Sequence, residues 1–122
     1  MKTLLLIFLG GGLGSSLRYG ISMLFKKIYT QEIIFPWHTL TINILGCFLL
    51  GLLVAYNYKQ TNPWLNSFFV IGFCGGFTTF STFSYEIITL FKSGLTSSAL
   101  LYLLLSIILG CIAIILGLIL VK

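Results

Sequence analysis

Apolar residues fill four long stretches of the chain, and short polar joints separate them. The stretches cover about residues 4–25, 37–58, 65–91 and 95–121. Each is long enough for a helix that crosses the hydrocarbon layer of a bilayer, which takes roughly 20 residues. The pattern therefore predicts an all-α membrane protein, a single domain over residues 1–122 with four transmembrane helices. Four crossings place both termini on the same side.

The third stretch contains an unusual polar run, GFCGGFTTFSTFSYE, from Gly72 to Glu86. Two adjacent glycines, Gly75 and Gly76, precede six hydroxyl residues within an otherwise apolar segment. Paired glycines favour a local break of the helix, here near residues 75–79. Within a membrane, irregular backbone persists only where it is buried in protein or lines an aqueous or ion path. The run therefore indicates transport.

Small residues also recur one helical turn apart. Gly10 and Gly14 form one such pair, and Gly72 and Gly76 form another. The spacing lets two helix backbones approach closely, so it predicts tight packing between helices. It carries no chemical information.

Composition supports the membrane assignment and excludes several function classes. Of 122 residues, 58% are hydrophobic and 7% are charged. The seven basic residues are scattered singly or in pairs, so nucleic-acid binding is not expected. No nucleophile with a base and no phosphate-binding loop occurs, so the chain is not expected to be an enzyme. The three cysteines form no CxxC pair and are interpreted as packing residues.

The basic residues at the ends of the stretches are evenly divided between the two sides. Lys2, Lys59 and Lys122 fall on one side, and the pair at 26–27 with Lys92 falls on the other. Because the two sides carry equal numbers of basic residues, the positive-inside rule predicts almost no preference for one orientation. One reading is that copies insert both ways up and form an antiparallel homodimer, with the two-fold axis in the membrane plane. The other is that the balance is accidental and one orientation prevails.

Four polar residues within the stretches have two readings each. Arg18 either attracts anions at a water-filled vestibule or extends its side chain to the nearby interface. Asn43, one turn from Thr39, either holds helices together or offers an N–H donor to a permeating anion. Glu86 is either a proton-carrying or gating carboxylate or a structural hydrogen-bond acceptor. His38 is most simply an interfacial residue beside Trp37, since a lone histidine is weak evidence for a metal.

Phe80 and Phe83 lie one helical turn apart among Ser81, Thr82 and Ser84. Aromatic residues in a membrane helix commonly do no more than pack. A phenyl ring is, however, positive at its edge, so ring edges directed into a pore favour a small anion. Neighbouring hydroxyls and an amide would replace part of the hydration shell of that anion. The spacing leaves both interpretations open.

Three blocks resemble the Fluc/CrcB family of small fluoride channels, and the resemblance covers all four stretches. The blocks are GGGLGSSLRY (10–19), HTLTINILGCFLLG (38–51) and GFCGGFTTFSTFSYE (72–86). The resemblance implies a dual-topology antiparallel homodimer with two fluoride pathways. It also implies passive export of fluoride across the inner (plasma) membrane, which relieves the toxicity of fluoride that entered as HF. The expected partners are fluoride, a sodium ion, the lipid bilayer and a second copy of the chain.

The resemblance assigns roles to individual positions. Asn43 corresponds to an amide that hydrogen-bonds fluoride, and Phe80 and Phe83 to ring edges that line its path. Gly75 and Thr78 correspond to the break whose backbone carbonyls hold a structural Na⁺ at the dimer centre. Further correspondences are a pore hydroxyl (Thr39), a polar track (Ser81, Thr82, Ser106), a vestibule cation (Arg18) and an acid at the far end of the third helix (Glu86). The chain departs from the family at His38, where glycine is common, and at Cys47.

Two rival function classes fit parts of the sequence. A small dual-topology, proton-coupled multidrug exporter would share the four stretches and the charge balance. Such an exporter needs a carboxylate in its substrate chamber, typically in the first helix, whereas the only charge within the first stretch is Arg18. A structural protein that packs membrane partners through glycines would not explain why hydroxyls and phenylalanines concentrate at a break.

Overall fold

Four apolar helical spans make up the fold, as the hydrophobic pattern predicts. The computed structural model describes residues 1–29 and 35–121, and all regular secondary structure in these ranges is helical. The spans long and apolar enough to cross a membrane are Lys2–Ile28, Trp37–Tyr58, Pro63–Lys92 and Thr96–Leu120. Lys122, used in the charge balance, lies outside the described residues. The all-α membrane architecture is therefore confirmed.

The first two helices end at signals present in the sequence. Helix α1 (Lys2–Ile28) has Lys26 and Lys27 in its last turn, where cations offset the partial negative charge of the helix terminus. Helix α2 (Trp37–Gln60) is followed by Thr61, which adopts the left-handed conformation with φ 43°. The Asn57 side-chain oxygen accepts a hydrogen bond from the backbone N–H of Asn62 at 3.0 Å, which closes the tight turn into the third span.

The third span is composed of four helical segments rather than one regular helix. It begins with α3 (Pro63–Leu65), where proline occupies the first turn, and continues as a π-helical segment (Asn66–Cys74). Next come α4 (Gly75–Phe77) and, after an interruption, α5 (Phe80–Lys92). The sequence pattern contained no signal for the π-helical segment. π-helical turns are rare and frequently accompany functional sites.

The interruption lies at Thr78 and Thr79, not at the paired glycines. Gly75 and Gly76 are helical, whereas Thr78 (ψ 159°) and Thr79 (φ −148°, ψ 115°) have extended backbone. The range predicted for the break, residues 75–79, contains both threonines. The reason given for it was wrong, because the glycines continue the helix and the two threonines depart from it.

The spans pack in two close pairs, and glycines set the distance in each. Helix α1 lies against the π-helical segment and α4, and a Cβ atom added at Gly10 would collide with the carbonyl oxygen of Phe68. Helix α2 lies against α6 (Thr96–Leu120), and a Cβ at Gly51 would collide with the carbonyl oxygen of Ile114. The small-residue spacing in α1 therefore serves packing within one chain. The break in the third span lies where these pairs meet.

Candidate ion pathway at the helix break

Asn43 of α2 forms two hydrogen bonds with a single residue of the break. Its amide nitrogen donates to the Thr79 carbonyl at 3.2 Å, and its side-chain oxygen accepts from the Thr79 N–H at 2.9 Å. The two bonds fix which end of the amide is nitrogen. The second bond satisfies the Thr79 N–H, which the interrupted helix leaves without its usual acceptor. A second N–H of the Asn43 amide remains beyond the one that Thr79 uses.

The break leaves carbonyl groups on the α4 side without their usual helical donors. The N–H of Thr79, which would serve the Gly75 carbonyl in a continuous helix, is directed to Asn43 instead. The next carbonyl, that of Gly76, accepts a hydrogen bond from Arg18 Nε of α1 at 3.1 Å. Arg18 is half-buried, so its guanidinium places positive charge beside the break. The sequence left two interpretations of Arg18, a cation at a vestibule or a side chain that extends to the membrane interface. The contact with Gly76 is not of the second kind.

Hydroxyl groups organise the start of α5. Thr79 is the N-cap, and its Oγ1 accepts from the Thr82 N–H at 3.3 Å and donates to the Thr82 hydroxyl at 3.0 Å. Ser81 Oγ lies 3.5 Å from Thr79 Oγ1. Thr78 donates its own hydroxyl back to the Cys74 carbonyl at 2.9 Å. The two predicted track residues, Ser81 and Thr82, therefore adjoin Thr79 on the α5 side of the break.

An open cavity of about 440 Å³ borders the break and brings together much of the predicted site. Asn43, Gly75, Thr78, Phe80 and Phe83 all line it. The remaining lining residues come from α2, the π-helical segment, the break and α6: Gly46, Cys47, Leu50, Val70, Cys74, Thr79, Ser106 and Ile107. The π-helical segment, α2, α4, α5, α6 and the break itself thus contribute to one mixed polar and apolar surface.

Ser106 is the polar residue that α6 contributes to this cavity. Its Oγ is buried and has no hydrogen-bond partner among the described residues. Leaving a buried hydroxyl unpaired costs roughly 1–3 kcal/mol. A hydroxyl in that state at a cavity wall is available to a ligand that accepts a hydrogen bond.

A second polar cluster has Glu86 at its centre and lies one turn along α2 from Asn43 and about two turns along α5 from Thr79. Glu86 Oε1 accepts from the Thr39 hydroxyl at 2.8 Å and lies 3.4 Å from Nε2 of His38. Glu86 Oε2 accepts from the Tyr102 hydroxyl at 2.7 Å. Both oxygens of the carboxylate are occupied, in the way that a partly buried charged group requires. Glu86 therefore accepts hydrogen bonds from hydroxyls of α2 and α6, and its interpretation as a proton-carrying or gating carboxylate stays a prediction.

Aromatic rings connect the two polar clusters. The Phe80 and Phe83 ring centroids are 5.9 Å apart, and Phe83 meets Tyr102 in an edge-on arrangement at 5.2 Å. Phe80 is 79% exposed, whereas Tyr102 is completely buried. A line of polar groups and aromatic rings therefore runs from Asn43 and Phe80, past Phe83, to the cluster around Glu86.

Three of these contacts were not predicted from the sequence. The contribution of Tyr102 was missed, although its position one turn before Ser106 places both on one face of α6. The capping role of Thr79 could have been found from a threonine that directly precedes the helical run of α5. The bond from Arg18 to Gly76 spans 58 positions, and no local pattern predicts it.

Comparisons with known proteins match the chain to one family. The chain matches the family described as "CrcB-like protein, Camphor Resistance (CrcB)" over residues 5–118. It is 48% identical to the fluoride-specific ion channel FluC of Flavobacterium psychrophilum, over 100% of this chain and 98% of that protein. It is 45% identical to FluC of Azobacteroides pseudotrichonymphae (100% and 98% covered) and 48% identical to FluC of Phocaeicola vulgatus (96% of each).

Proposed function

The chain belongs to the CrcB-like family, and from this premise we propose that it is a fluoride-selective ion channel. It lets fluoride leave the cell down its electrochemical gradient and thereby limits fluoride toxicity. The observation that carries the proposal is the helix break, where an amide, hydroxyls and two phenylalanine side chains line one open cavity. The relatives named above are called fluoride-specific channels, which supports the same ion.

The groups around the break suit a small and strongly hydrated anion. Fluoride enters a pore only if close donors replace its water shell. The second N–H of Asn43 and the unpaired hydroxyl of Ser106 both border the cavity and are donors of this kind. The positive edges of Phe80 and Phe83 add weaker attraction along the same wall. Close donors in a narrow path also exclude larger halides by size.

The path proposed here continues from the break toward the end of α5. Asn43 and Phe80 line its central part, and Phe83 leads to the cluster of Thr39, Tyr102 and Glu86. Ser81 and Thr82 border it at the start of α5, beside the Thr79 cap. Arg18 lowers the cost of bringing an anion to the break, because its positive charge is fixed at the Gly76 carbonyl. No covalent step is required, so the transport is electrodiffusion and the protein is not an enzyme.

A second copy of the chain in antiparallel orientation would complete the pore. The cavity is open at the side, and Phe80, 79% exposed, lies at its rim. Gly75 is also exposed, and a Cβ atom there would meet nothing within 4 Å. The balanced charges at the helix ends allow both orientations in one membrane. In such a dimer, each copy supplies a wall that the other lacks.

The same dimer would hold a structural Na⁺ through the carbonyls of Gly75 and Thr78 from each copy. The residues fit this ion, because unwound backbone carbonyls are its usual ligands in membrane proteins. The break withdraws the Thr79 N–H from the Gly75 carbonyl, and Thr78 is extended. When bound, the ion would offset the partial negative charges of the carbonyl oxygens at the dimer centre and hold the two breaks together.

The proton-coupled exporter fits these observations less well. That mechanism needs a carboxylate that exchanges protons with substrate in a chamber, typically in the first helix. The charged group of α1 at the break is Arg18, which is bound to a backbone carbonyl. Glu86 is held by hydroxyls from α2 and α6.

The decisive test is anion efflux from liposomes that contain the purified protein, with valinomycin setting a potassium diffusion potential. We expect rapid loss of fluoride and negligible loss of chloride. Phe80→Ile and Phe83→Ile should lower the fluoride efflux without preventing assembly, and Phe69→Ile, which changes a ring packed beside Trp64, is the control. Well-folded protein that releases no fluoride would contradict the proposal. Unchanged efflux in both pathway variants would remove these rings from the mechanism.

A further inference from the structure

We propose that His38 is a proton-responsive residue of the fluoride pathway, which raises anion flux when the solution on its side of the membrane becomes acidic. The inference rests on the proposed function. It arises from a contact that the sequence did not predict, between His38 at the start of α2 and the carboxylate of Glu86 on α5.

The geometry gives His38 one charged neighbour and access to solvent. Its Nε2 lies 3.4 Å from Glu86 Oε1, and the two side chains are 31% and 17% exposed, respectively. The histidine can therefore exchange protons with water, whereas the carboxylate is largely covered. Histidine is the side chain whose charge changes between about pH 5 and pH 8 without any special environment. The distance is at the long end for a hydrogen bond, and a charged imidazole would strengthen the contact.

The other groups around Glu86 cannot take over this role. Thr39 and Tyr102 donate hydroxyl protons to the carboxylate but carry no charge at neutral pH. The remaining charged residues at the same end of the spans are lysines 26, 27 and 92, all exposed and without an ion pair among the described residues. They stay positive throughout the pH range in which histidine titrates. Glu32 lies in the joint outside the described residues, and the variant Glu32→Gln tests its contribution.

The carboxylate lies where an anion on the proposed path would meet it. Glu86 is one turn from Phe83, and both contact Tyr102. A negative charge there repels fluoride and lowers its occupancy of the path. Protonation of His38 adds one positive charge beside that negative charge and removes most of the repulsion. Anion current should therefore rise as the pH falls through the range in which histidine gains its proton.

Current through single channels in planar bilayers is the direct measurement, because neutral HF carries no current. With equal fluoride on both sides, we expect the wild-type conductance to be about two- to threefold higher at pH 5.5 than at pH 7.5. His38→Gln, neutral at both values, should give a ratio close to one. His38→Lys, positive at both, should also give a ratio close to one, but at a higher conductance than His38→Gln. Glu32→Gln, the control for the other acid of the chain, should keep the wild-type ratio.

A second measurement does not depend on transport. His38 is the only histidine in the chain, so ¹⁵N signals from histidine-labelled protein report on this imidazole alone. We expect them to change between pH 8 and pH 5 and to be altered by Glu86→Gln. Signals that do not change over this range would overturn the inference, even if the current varied with pH.

The outcomes separate the two proposals. Fluoride current with the same conductance at both pH values would overturn the role of His38 and leave the channel function intact. A pH response that persists in His38→Gln would also overturn it. Absence of any fluoride current from folded protein at pH 7.5 would contradict the channel function, and the inference would fall with it.

Discussion

At the scale of single residues, Asn43 shows why side-chain chemistry and helix geometry have to be considered together. The sequence left two roles open for it, a link between helices or a donor for an anion. The structure shows the link directly, because both polar ends of the amide bond to Thr79. The same bonds orient the amide, so its second N–H is held in place beside the cavity. Linking helices and donating to a passing anion are therefore compatible roles, and the second stays a proposal.

Asn43→Ala should lower fluoride efflux at least about tenfold, since it removes a donor and takes from the partly buried Thr79 N–H the acceptor that holds it at the break. The measurement is the rate of fluoride loss from liposomes, at equal amounts of protein and with helix content checked by circular dichroism. Asn57→Ala is the matched control, because this second amide of α2 bonds to Asn62 at the far turn. Efflux from Asn43→Ala equal to that of the control would exclude Asn43 from the pathway.

At the scale of elements, the break in the third span results from contacts with other helices. Glycines were expected to interrupt the helix, yet Gly75 and Gly76 have helical backbone. The extended residues are Thr78 and Thr79, and the backbone groups released there bond to side chains of other elements or of α5 itself. Asn43 reaches the break from α2, and Arg18 reaches it from α1. Gly76 contributes in a different way, since a Cβ atom there would collide with Gly11 of α1.

Arg18→Met should destabilise the protein by roughly 1.5–3 kcal/mol, the usual range for a hydrogen bond from a charged group. It should also lower fluoride efflux, because the positive charge beside the break is lost. The readout is the apparent midpoint of thermal unfolding in detergent, compared at one heating rate, together with liposome efflux. Ser22→Ala, which removes a neutral bond within the same helix, should change the stability far less. Wild-type stability and efflux in Arg18→Met would show that the contact with Gly76 supports neither the fold nor transport.

At the scale of the whole molecule, one chain provides the helices but only part of a pore. Helix α1 packs closely on the third span, and α2 packs closely on α6. Glycines of these helices lie at the two contacts. The cavity at the break remains open, and Phe80 projects from it with most of its surface uncovered. An exposed aromatic ring at the rim of a polar cavity is well placed for burial by a second copy. The proposed antiparallel dimer would bring two such cavities together.

The antiparallel arrangement predicts that copies are inserted in both orientations in cells. In a background with alanine at Cys47, Cys74 and Cys111, Thr3→Cys and Ser93→Cys place single thiols at opposite ends of the spans. A maleimide reagent that cannot cross the membrane, applied to intact spheroplasts, should label about half of each variant relative to permeabilised cells. Near-complete labelling of one variant and none of the other would show a single orientation and exclude the antiparallel dimer.

The sequence by itself determined the number of spans, their approximate limits and the location of the polar run. These properties depend on local composition, because a bilayer selects apolar stretches of sufficient length. Through the resemblance of its motifs to a known family, it also indicated six of the thirteen residues that line the cavity. Only the tertiary structure decided which groups these residues contact. The Arg18 bond to Gly76, the Asn43 bonds to Thr79 and the cluster of His38, Thr39 and Tyr102 around Glu86 all join distant parts of the chain. Such contacts depend on how the helices pack against each other, so the periodicity of apolar residues within one helix does not predict them.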